Sequence, residues 1–302
     1  MSIKISSIVR TSAYYPEIYA YKDYFNSIDG VEFNIIHSNN INDLLSTDAD
    51  CYIIKIGFDS KFNYRLKGKL YIHDYTSCST GKYPKLKNYI KKCLNYNADI
   101  KLFLNERVMN EYHFSPKNNH LIRDMGIDDF FFYNGEKKGE HDFIYAGSID
   151  KSRNIEKVLH SFKLSSRELS LIGEPSNDIY KEFKGVNNIK FLGKLDRYNT
   201  AKELKKAEYG VNITPSIYPY DFQTSTKTLE YCAAQLKIVC NTNSWNRSFE
   251  KKEKARFFYT EDFKIPSNIN EIDFIIPDVS NYRWHKVIEE SGLPHIIFDR
   301  LK

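Results

Sequence analysis

Short apolar runs alternate with helical patterns between Asp142 and Cys240, and this alternation limits the fold more than any other feature of the chain. It predicts strands at Asp142–Ala146, Leu169–Ile172, Ile189–Leu192, Tyr209–Thr214 and Ile238–Cys240. The helices predicted between them are Asn154–Phe162, Asp178–Phe183, Asn199–Ala207 and Thr226–Leu236. A parallel sheet with crossover helices produces this pattern, because a helix must return the chain to the same end of the sheet after each strand. We therefore predict a doubly wound α/β domain over residues 142–275.

The first half of the chain shows a similar but less regular alternation, which predicts a second α/β domain over residues 1–135. Its predicted strands are Ile3–Val9, Val31–His37, Cys51–Gly57, Leu70–Asp74, Ile100–Leu104 and His120–Arg123. Its predicted helices are Glu17–Ser27, Ile41–Ser46, Lys82–Leu94 and Glu106–His113. The polar stretch Asn134–His141 reads as the linker. In the tail, Arg247–Ala255 and Tyr282–Glu290 are predicted helices.

Length and composition fit this two-domain interpretation. The chain has 302 residues, of which 41% are apolar, enough for two cores of ordinary size. Its five cysteines show no paired metal spacing, so we expect reduced thiols in a cytoplasmic protein. No apolar run approaches 18 residues, so no membrane span is predicted. The net charge of +5 suits a phosphate-bearing ligand or an anionic membrane surface, and is too small to indicate nucleic acid.

Candidate binding residues follow the predicted strands of the second domain, because doubly wound sheets bind ligands beyond the carboxyl ends of their strands. The loops that follow the first three of these strands, here called strand exits, begin with Gly147, Gly173 and Gly193. The same loops contain Ser148, Lys151 and Lys194. Glycine allows a ligand to approach the backbone closely, although it can also merely end a strand. Three in series favour a nucleotide site.

The fourth exit is a loop rich in hydroxyl groups, which leads into the helix predicted at Thr226. Thr224, Ser225 and Thr226 can cap this helix, and its free N–H groups and dipole can hold a phosphate. Lys227 is either a cation for that phosphate or part of a solvated helix face. Glu230, one turn further on, is placed to accept hydrogen bonds from the hydroxyls of a ribose.

The run Thr226-Lys-Thr-Leu-Glu-Tyr-Cys-Ala-Ala-Gln-Leu-Lys-Ile-Val239 resembles the signature of the retaining GT-B glycosyltransferases of the group 1, family 4-like class. By this resemblance Glu230 matches the ribose-binding Glu of the family's E-x7-E motif. Residues 147–154 resemble the family turn whose cations neutralise the diphosphate leaving group. That likeness implies a catalytic role for Arg153 and, as second choice, Lys151.

The sequence departs from the family pattern at two positions. Ser148 stands where most members carry an Arg, and Lys227 is a candidate replacement for that cation. Phe222 stands where the first Glu of the motif belongs, and Asp221, one position earlier, is the candidate substitute for the donor-sugar contact. Both departures favour an alternative interpretation, a transferase-like subunit that binds a nucleotide without chemistry.

The resemblance implies two Rossmann-like domains facing a cleft, with the C-terminal helix of residues 276–302 crossing back to the N-terminal domain. It implies transfer of a sugar from a nucleoside-diphosphate sugar to a glycan or lipid-linked acceptor. It also implies retention of configuration, no metal or other cofactor, and a role in bacterial surface polysaccharide biosynthesis. A nucleotide-sugar epimerase of the same architecture is a second alternative. A nicotinamide dehydrogenase is disfavoured, because neither half carries the glycine fingerprint G-x-G-x-x-G.

Two features of the first half remain open. His73 and Asp74 end a predicted strand, where they can orient or deprotonate an acceptor hydroxyl, or serve a structural role. The helix Lys82–Leu94 places Leu86, Tyr89, Ile90, Cys93 and Leu94 on one face and lysines elsewhere. That face either packs into the core or contacts the inner surface of a membrane.

Overall fold

The computed structural model describes residues 2–11, 14–55, 67–95, 98–115, 119–135, 139–151 and 154–301. It divides into two compact units. The first unit comprises Met1–Gly126 together with Tyr282–Lys302, and the second comprises Ile127–Asn281. The first boundary therefore precedes the polar stretch Asn134–His141, since Tyr133 N–H donates to Ala233 O within the second unit at 2.8 Å.

The first unit is built on a six-stranded parallel sheet of order β2-β1-β3-β4-β5-β6. Its strands are β1 Ile3–Val9, β2 Val31–His37, β3 Cys51–Lys55, β4 Leu70–Tyr75, β5 Ile100–Phe103 and β6 His120–Ile122. Its helices in the first segment are α1 Pro16–Asn26, α2 Ile41–Leu45, α3 Pro84–Leu94 and α4 Glu106–Tyr112. The apolar runs of the sequence form the strands because both faces of a parallel sheet are covered.

The second unit contains another six-stranded parallel sheet, of order β12-β11-β10-β7-β8-β9. Its strands are β7 His141–Ala146, β8 Leu169–Ile172, β9 Ile189–Gly193, β10 Ala207–Asn212, β11 Lys237–Cys240 and β12 Phe258–Tyr259. Its helices are α5 Ile155–Lys163, α6 Asn177–Phe183, α7 Arg197–Lys205, α8 Thr226–Ala233 and α9 Ser244–Glu253. Within the described residues, short 3-10 helices lie at Asp129–Phe131, Ile269–Glu271 and Ser280–Tyr282.

The chain ends in two helices that belong to the first unit, α10 Trp284–Glu290 and α11 Leu293–Leu301. Trp284, Ile288 and Ile297 are buried in the core that contains the apolar residues of β1 and α1. The sequence predicted α10 but not α11. The apolar residues of α11 directly follow Gly292, whose left-handed backbone, with φ of +73°, ends the preceding helix.

The structure decides between the two interpretations that the sequence left open for helix α3. Leu86, Tyr89 and Ile90 are 56%, 62% and 47% exposed, so the apolar face of this helix does not pack into the core. Asn88, on the opposite side, is buried and accepts a 2.8 Å hydrogen bond from the backbone N–H of Ser79. The interpretation of a buried apolar face with solvated lysines is therefore wrong.

Candidate nucleotide-binding site

A cavity of about 330 Å³ lies in the second unit, where β7 and β10 end. It is lined by Gly147, Ser148, Thr214, Tyr220, Gln223, Thr224, Ser225, Thr226, Lys227 and Asn243. The first exit and the hydroxyl-rich loop, which are far apart in sequence, thus form one site. They meet because β7 and β10 are neighbours in the sheet and run parallel, so that both loops leave at the same edge.

A second, larger hollow of about 930 Å³ lies beside the C-terminal half of α5 and is lined in part by Lys157, His160, Arg167 and Asp262. It adjoins the amino end of β8, the end of the sheet at which doubly wound folds do not place their ligands. The guanidinium of Arg167, which lines this hollow, already donates two hydrogen bonds to the Asp142 carboxylate at 2.7–2.8 Å. We therefore favour the smaller cavity as the functional site.

Helix α8 begins at the wall of the smaller cavity. Ser225 is its N-cap, and its side chain accepts from the backbone N–H of Thr228 at 3.3 Å. The first N–H groups of any helix, here those of Thr226 and Lys227, have no acceptor within the helix. Together with the helix dipole they favour an anion in front of them.

A buried polar network holds the start of α8 in place. Asn212, fully buried at the end of β10, donates to Ser225 Oγ at 3.0 Å and to Thr228 Oγ1 at 2.7 Å. Thr228 Oγ1 in turn donates to Asn246 Oδ1 on α9 at 3.0 Å. Because Asn212, Thr228 and Asn246 are buried, loss of one of these side chains would leave its partners unsatisfied, and the network therefore fixes the start of the helix.

Lys227 extends from α8 to the exit of β7. Its Nζ lies 3.1 Å from the hydroxyl of Tyr145 and 4.2 Å from the centre of that ring. A Cβ atom at Gly147 would lie 2.8 Å from Lys227 Nζ, so the ammonium group is directly beside the Gly147 backbone. The structure thus brings the candidate cation to the turn in which Ser148 replaces the expected Arg.

Contacts within the protein explain Gly173, one of the glycines at the strand exits. Gly173 has φ of +146°, and a Cβ there would lie 2.1 Å from the carbonyl oxygen of Gly147. Its N–H donates to Gly193 O at 2.9 Å, which ties the second exit to the third. Close backbone packing therefore explains Gly173, and a ligand is not needed to account for it.

Glu230 is buried behind the cavity, in contact with Arg197 and through it with Asp128. Arg197 Nη2 lies 3.0 Å from Glu230 Oε1 and donates to Asp128 Oδ2 at 2.6 Å. Arg197 thus holds the buried Glu230 carboxylate through Oε1 and links it to Asp128. Burial raises the pKa of Glu230 to about 7, and Asp128 adds to this, while Arg197 opposes it.

Solved structures align with nearly the whole chain. AviGT4, a glycosyltransferase involved in avilamycin A biosynthesis, superimposes with a TM-score of 0.60 over 99% of this chain and 97% of its own, at 8% sequence identity. The UDP-GlcNAc 2-epimerase of Methanocaldococcus jannaschii gives 0.59 over 98% and 100%, at 11% identity. S. aureus MnaA, solved with UDP, gives 0.62 over 99% and 98%, at 10% identity. The chain has a GT-B fold.

The sequence itself carries no comparable match. No protein-family model matches the chain, and no curated protein matches its sequence. The GT-B fold is thus established by the course of the backbone, and it is shared by proteins with different activities. The reaction must be argued from the site.

The four candidate cations of this GT-B protein differ in whether the structure places them at the cavity. Arg153 lies outside the described residues. Lys151 is exposed and pairs with Glu156 at 3.2 Å, and Lys194, beyond Gly193, is also exposed. Lys227 is therefore the candidate cation that the described part of the chain places at the cavity.

Asp221 has a structural function that the sequence did not reveal. Its carboxylate accepts from the backbone N–H of Ser244 at 2.9 Å and from the Ser244 hydroxyl at 2.5 Å. Its carbonyl oxygen accepts from Trp245 N–H at 2.8 Å. Asp221 thus satisfies the first turn of α9, and its predicted contact with a donor sugar remains a prediction.

Asp74 is enclosed in the core of the first unit. Its carboxylate has no exposed surface, accepts from Tyr21 Oη at 2.8 Å, and pairs with the equally buried Arg123 at 3.1 Å. Burial raises the pKa of Asp74, and the charge of Arg123 opposes that rise. An acceptor hydroxyl cannot reach this carboxylate without a rearrangement of the core, so we remove Asp74 from the candidate catalytic residues.

Sequence analysis missed four residues that line the cavity, Thr214, Tyr220, Gln223 and Asn243. Gln223 Nε2 is buried without a hydrogen-bond partner among the described residues, which makes it a candidate donor to a ligand. The sequence feature that could have indicated Gln223 is its position in the loop directly before the capping residues Thr224 and Ser225. Asn243 is the N-cap of α9, and its place at the cavity depends on the neighbouring strands β10 and β11.

Proposed function

We propose that the protein binds a nucleoside-diphosphate sugar in the cavity at the start of α8, and transfers the sugar to a hydroxyl of a glycan or lipid-linked acceptor. The observation that carries the proposal is the position of Lys227. Its ammonium lies beside the Gly147 backbone, next to a helix N-terminus, on the sheet edge where doubly wound folds bind ligands. The GT-B fold and the resemblance of residues 226–239 to the transferase signature support the same assignment.

The chemistry of the leaving group explains why a cation is needed there. When the bond between the sugar and the diphosphate breaks, negative charge develops on the departing oxygen. Lys227 and the first amides of α8 would stabilise that charge, so that Lys227 takes the place of the Arg absent at Ser148. Gln223, which also lines the cavity, would add a neutral donor. Arg153 is retained as a proposed second cation.

Glu230 is proposed to bind the ribose. It lies one helical turn beyond the residues proposed to hold the diphosphate. Arg197 holds the carboxylate in place at 3.0 Å. Retention of configuration and the function of Asp221 as a donor-sugar contact belong to the proposal as implications of the resemblance alone.

Binding of a panel of nucleotides to the wild type and two variants tests this assignment. We expect one of UDP, GDP, dTDP and CMP to bind, as measured by calorimetry, and Lys227→Gln to weaken it about 10- to 100-fold, which is the value of one hydrogen bond to a charged group. Lys181→Gln, an exposed lysine on α6, is the matched control and should bind as the wild type does. Equal affinity of all three proteins would contradict the proposed site.

Epimerisation of the nucleotide sugar is a second candidate, because UDP-GlcNAc 2-epimerase structures align with the full length of the chain. Proton NMR of UDP-GlcNAc incubated with the protein and no acceptor separates the two activities. An epimerase would produce a second anomeric signal from an intact nucleotide sugar. A transferase would leave the nucleotide sugar unchanged until a glycan acceptor is added, and a subunit without chemistry would bind it without any conversion.

A further inference from the structure

Helix α3 carries an apolar face that the protein leaves in contact with water. Leu86, Tyr89, Ile90, Cys93 and Leu94 follow one another at three- and four-residue spacing, and all are exposed. Tyr83, directly before the helix, continues the face and is 76% exposed. Contiguous exposed apolar surface of this kind is uncommon on a water-soluble fold and marks a surface for a partner.

The orientation of α3 is fixed by polar contacts on its other side. Asn88 Oδ1 accepts from Ser79 N–H at 2.8 Å, and Asn95 is buried just after the helix. Lys92 Nζ donates to the carbonyl oxygen of His113. Because these contacts hold the polar side against the protein, the helix cannot bury its apolar side by rotating in place.

Lysines border the apolar face on both sides. Lys85 and Lys87 lie at about 100° to either side of Leu86 on a helical wheel of 100° per residue. Both are exposed, and Lys87 Nζ also donates to Thr80 O at 3.1 Å. The segment from Lys82 to Asn95 contains five lysines and no acidic residue. Its charge therefore complements an anionic surface.

We propose that α3 docks the protein on an anionic phospholipid bilayer, with its apolar face at the level of the headgroups and its lysines near the lipid phosphates. Tyr83 and Tyr89 suit that level, because their rings combine an apolar body with a polar tip. A second copy of the chain is a poorer occupant. Contact between two α3 faces would bring their lysines together, where like charges repel.

Docking of this kind does not require a membrane-spanning segment. Within the described residues, no helix has both the length and the apolarity needed to cross a bilayer. The proposal goes beyond the proposed transfer reaction and does not depend on it, because vesicle binding involves no nucleotide. Failure of one would leave the other unaffected.

Co-sedimentation of the full chain with vesicles tests the proposal. We expect binding to phosphatidylcholine vesicles that contain about 30 mol% phosphatidylglycerol, and weaker binding to phosphatidylcholine alone. Lys85→Gln/Lys87→Gln should weaken binding to the anionic vesicles about 30-fold, at about one kcal/mol per lysine. Leu86→Ser/Ile90→Ser should weaken binding to both kinds of vesicle by at least about tenfold.

Matched double variants on other exposed surfaces provide the controls. Lys181→Gln/Lys184→Gln removes the same charge from α6 and its C-cap, and Leu164→Ser/Ile275→Ser removes exposed apolar side chains from the second unit. Both should bind vesicles as the wild type does, and so should Lys227→Gln. Circular dichroism must show an unchanged melting temperature for each variant.

Two results would overturn the proposal. One is a wild-type protein that does not bind anionic vesicles, or α3 variants that bind as tightly as the wild type. The other is a dimer in sedimentation velocity that Leu86→Ser/Ile90→Ser converts to a monomer, which would assign the face to a second copy of the chain.

Discussion

Glu230 shows at the residue scale how burial of one carboxylate makes the stability of the protein depend on pH. Its pKa is raised from 4.5 to about 7, mainly because the side chain is buried. Between these two pH values the folded protein keeps a proton that the unfolded chain releases. The free energy of unfolding therefore falls as pH rises through this window, by an amount that approaches about 3 kcal/mol.

The variant Glu230→Gln isolates that contribution, because glutamine has the same shape and does not titrate. Relative to the wild type, the variant should be more stable at pH 8 than at pH 5, by up to about 3 kcal/mol. Urea unfolding of both proteins at the two pH values measures the difference, and contributions from all other groups cancel. A difference that does not change with pH would show that Glu230 is ionised over the whole range.

At the scale of secondary-structure elements, helix α9 is stabilised by partners for each N–H of its first turn. Asp221 accepts from Ser244 and Trp245, and Asn243 accepts from Asn246 and Arg247. This helix start is therefore closed to an anion, whereas that of α8 lies at the wall of the cavity. The two helix starts thus differ in that a carboxylate caps only one of them.

The variants Asp221→Ala and Asp221→Asn separate a capping function from a catalytic one. Asp221→Ala should lower the free energy of unfolding by about 1 kcal/mol, and Asp221→Asn by less, since the amide oxygen can still accept from Ser244 N–H. If capping is its only function, donor turnover by Asp221→Asn should remain close to that of the wild type. Loss of turnover at unchanged stability would instead assign Asp221 to the reaction.

Most elements of both sheets were predictable from the sequence, because each strand and helix has a local periodicity of its own. The limits of β1 and β2 agree with the prediction, and α5 and α8 begin within a residue of their predicted starts. The sequence also indicated that Gly147, Ser148 and the loop from Thr224 to Lys227 would lie together, as they do at the cavity, since the carboxyl ends of parallel strands share one edge of the sheet.

What the sequence could not provide were contacts between distant residues. Arg123, the partner that encloses Asp74, lies 49 positions further along the chain. The periodicity of α3 defined an apolar face but not what lies opposite that face. Likewise, the carboxylate of Asp221 matched a motif position approximately, and only the folded chain shows that Ser244 engages it.

At the scale of the whole molecule, the chain forms two separate cores and uses its last residues to complete the first one. Within the described residues, the core cluster of the second unit shares no member with the cluster that contains Trp284. Trp284 is 7% exposed and packs against Gly126, where a Cβ atom would lie 2.3 Å from the indole ring. It also stacks near the guanidinium of Arg123, 5.5 Å from the ring centre.

Replacement of Trp284 by alanine should therefore destabilise the first unit by about 3 to 5 kcal/mol, the cost of a large cavity, and leave the second unit as it was. Differential scanning calorimetry with and without the nucleotide that binds can resolve the two units, because a ligand raises the melting temperature of the unit that holds it. We expect Trp284→Ala to lower the transition that the nucleotide does not shift. Trp245→Ala, on α9 of the second unit, should lower the transition that the nucleotide does shift. A single transition that both substitutions lower equally would mean that the two cores unfold as one cooperative unit despite their separate packing.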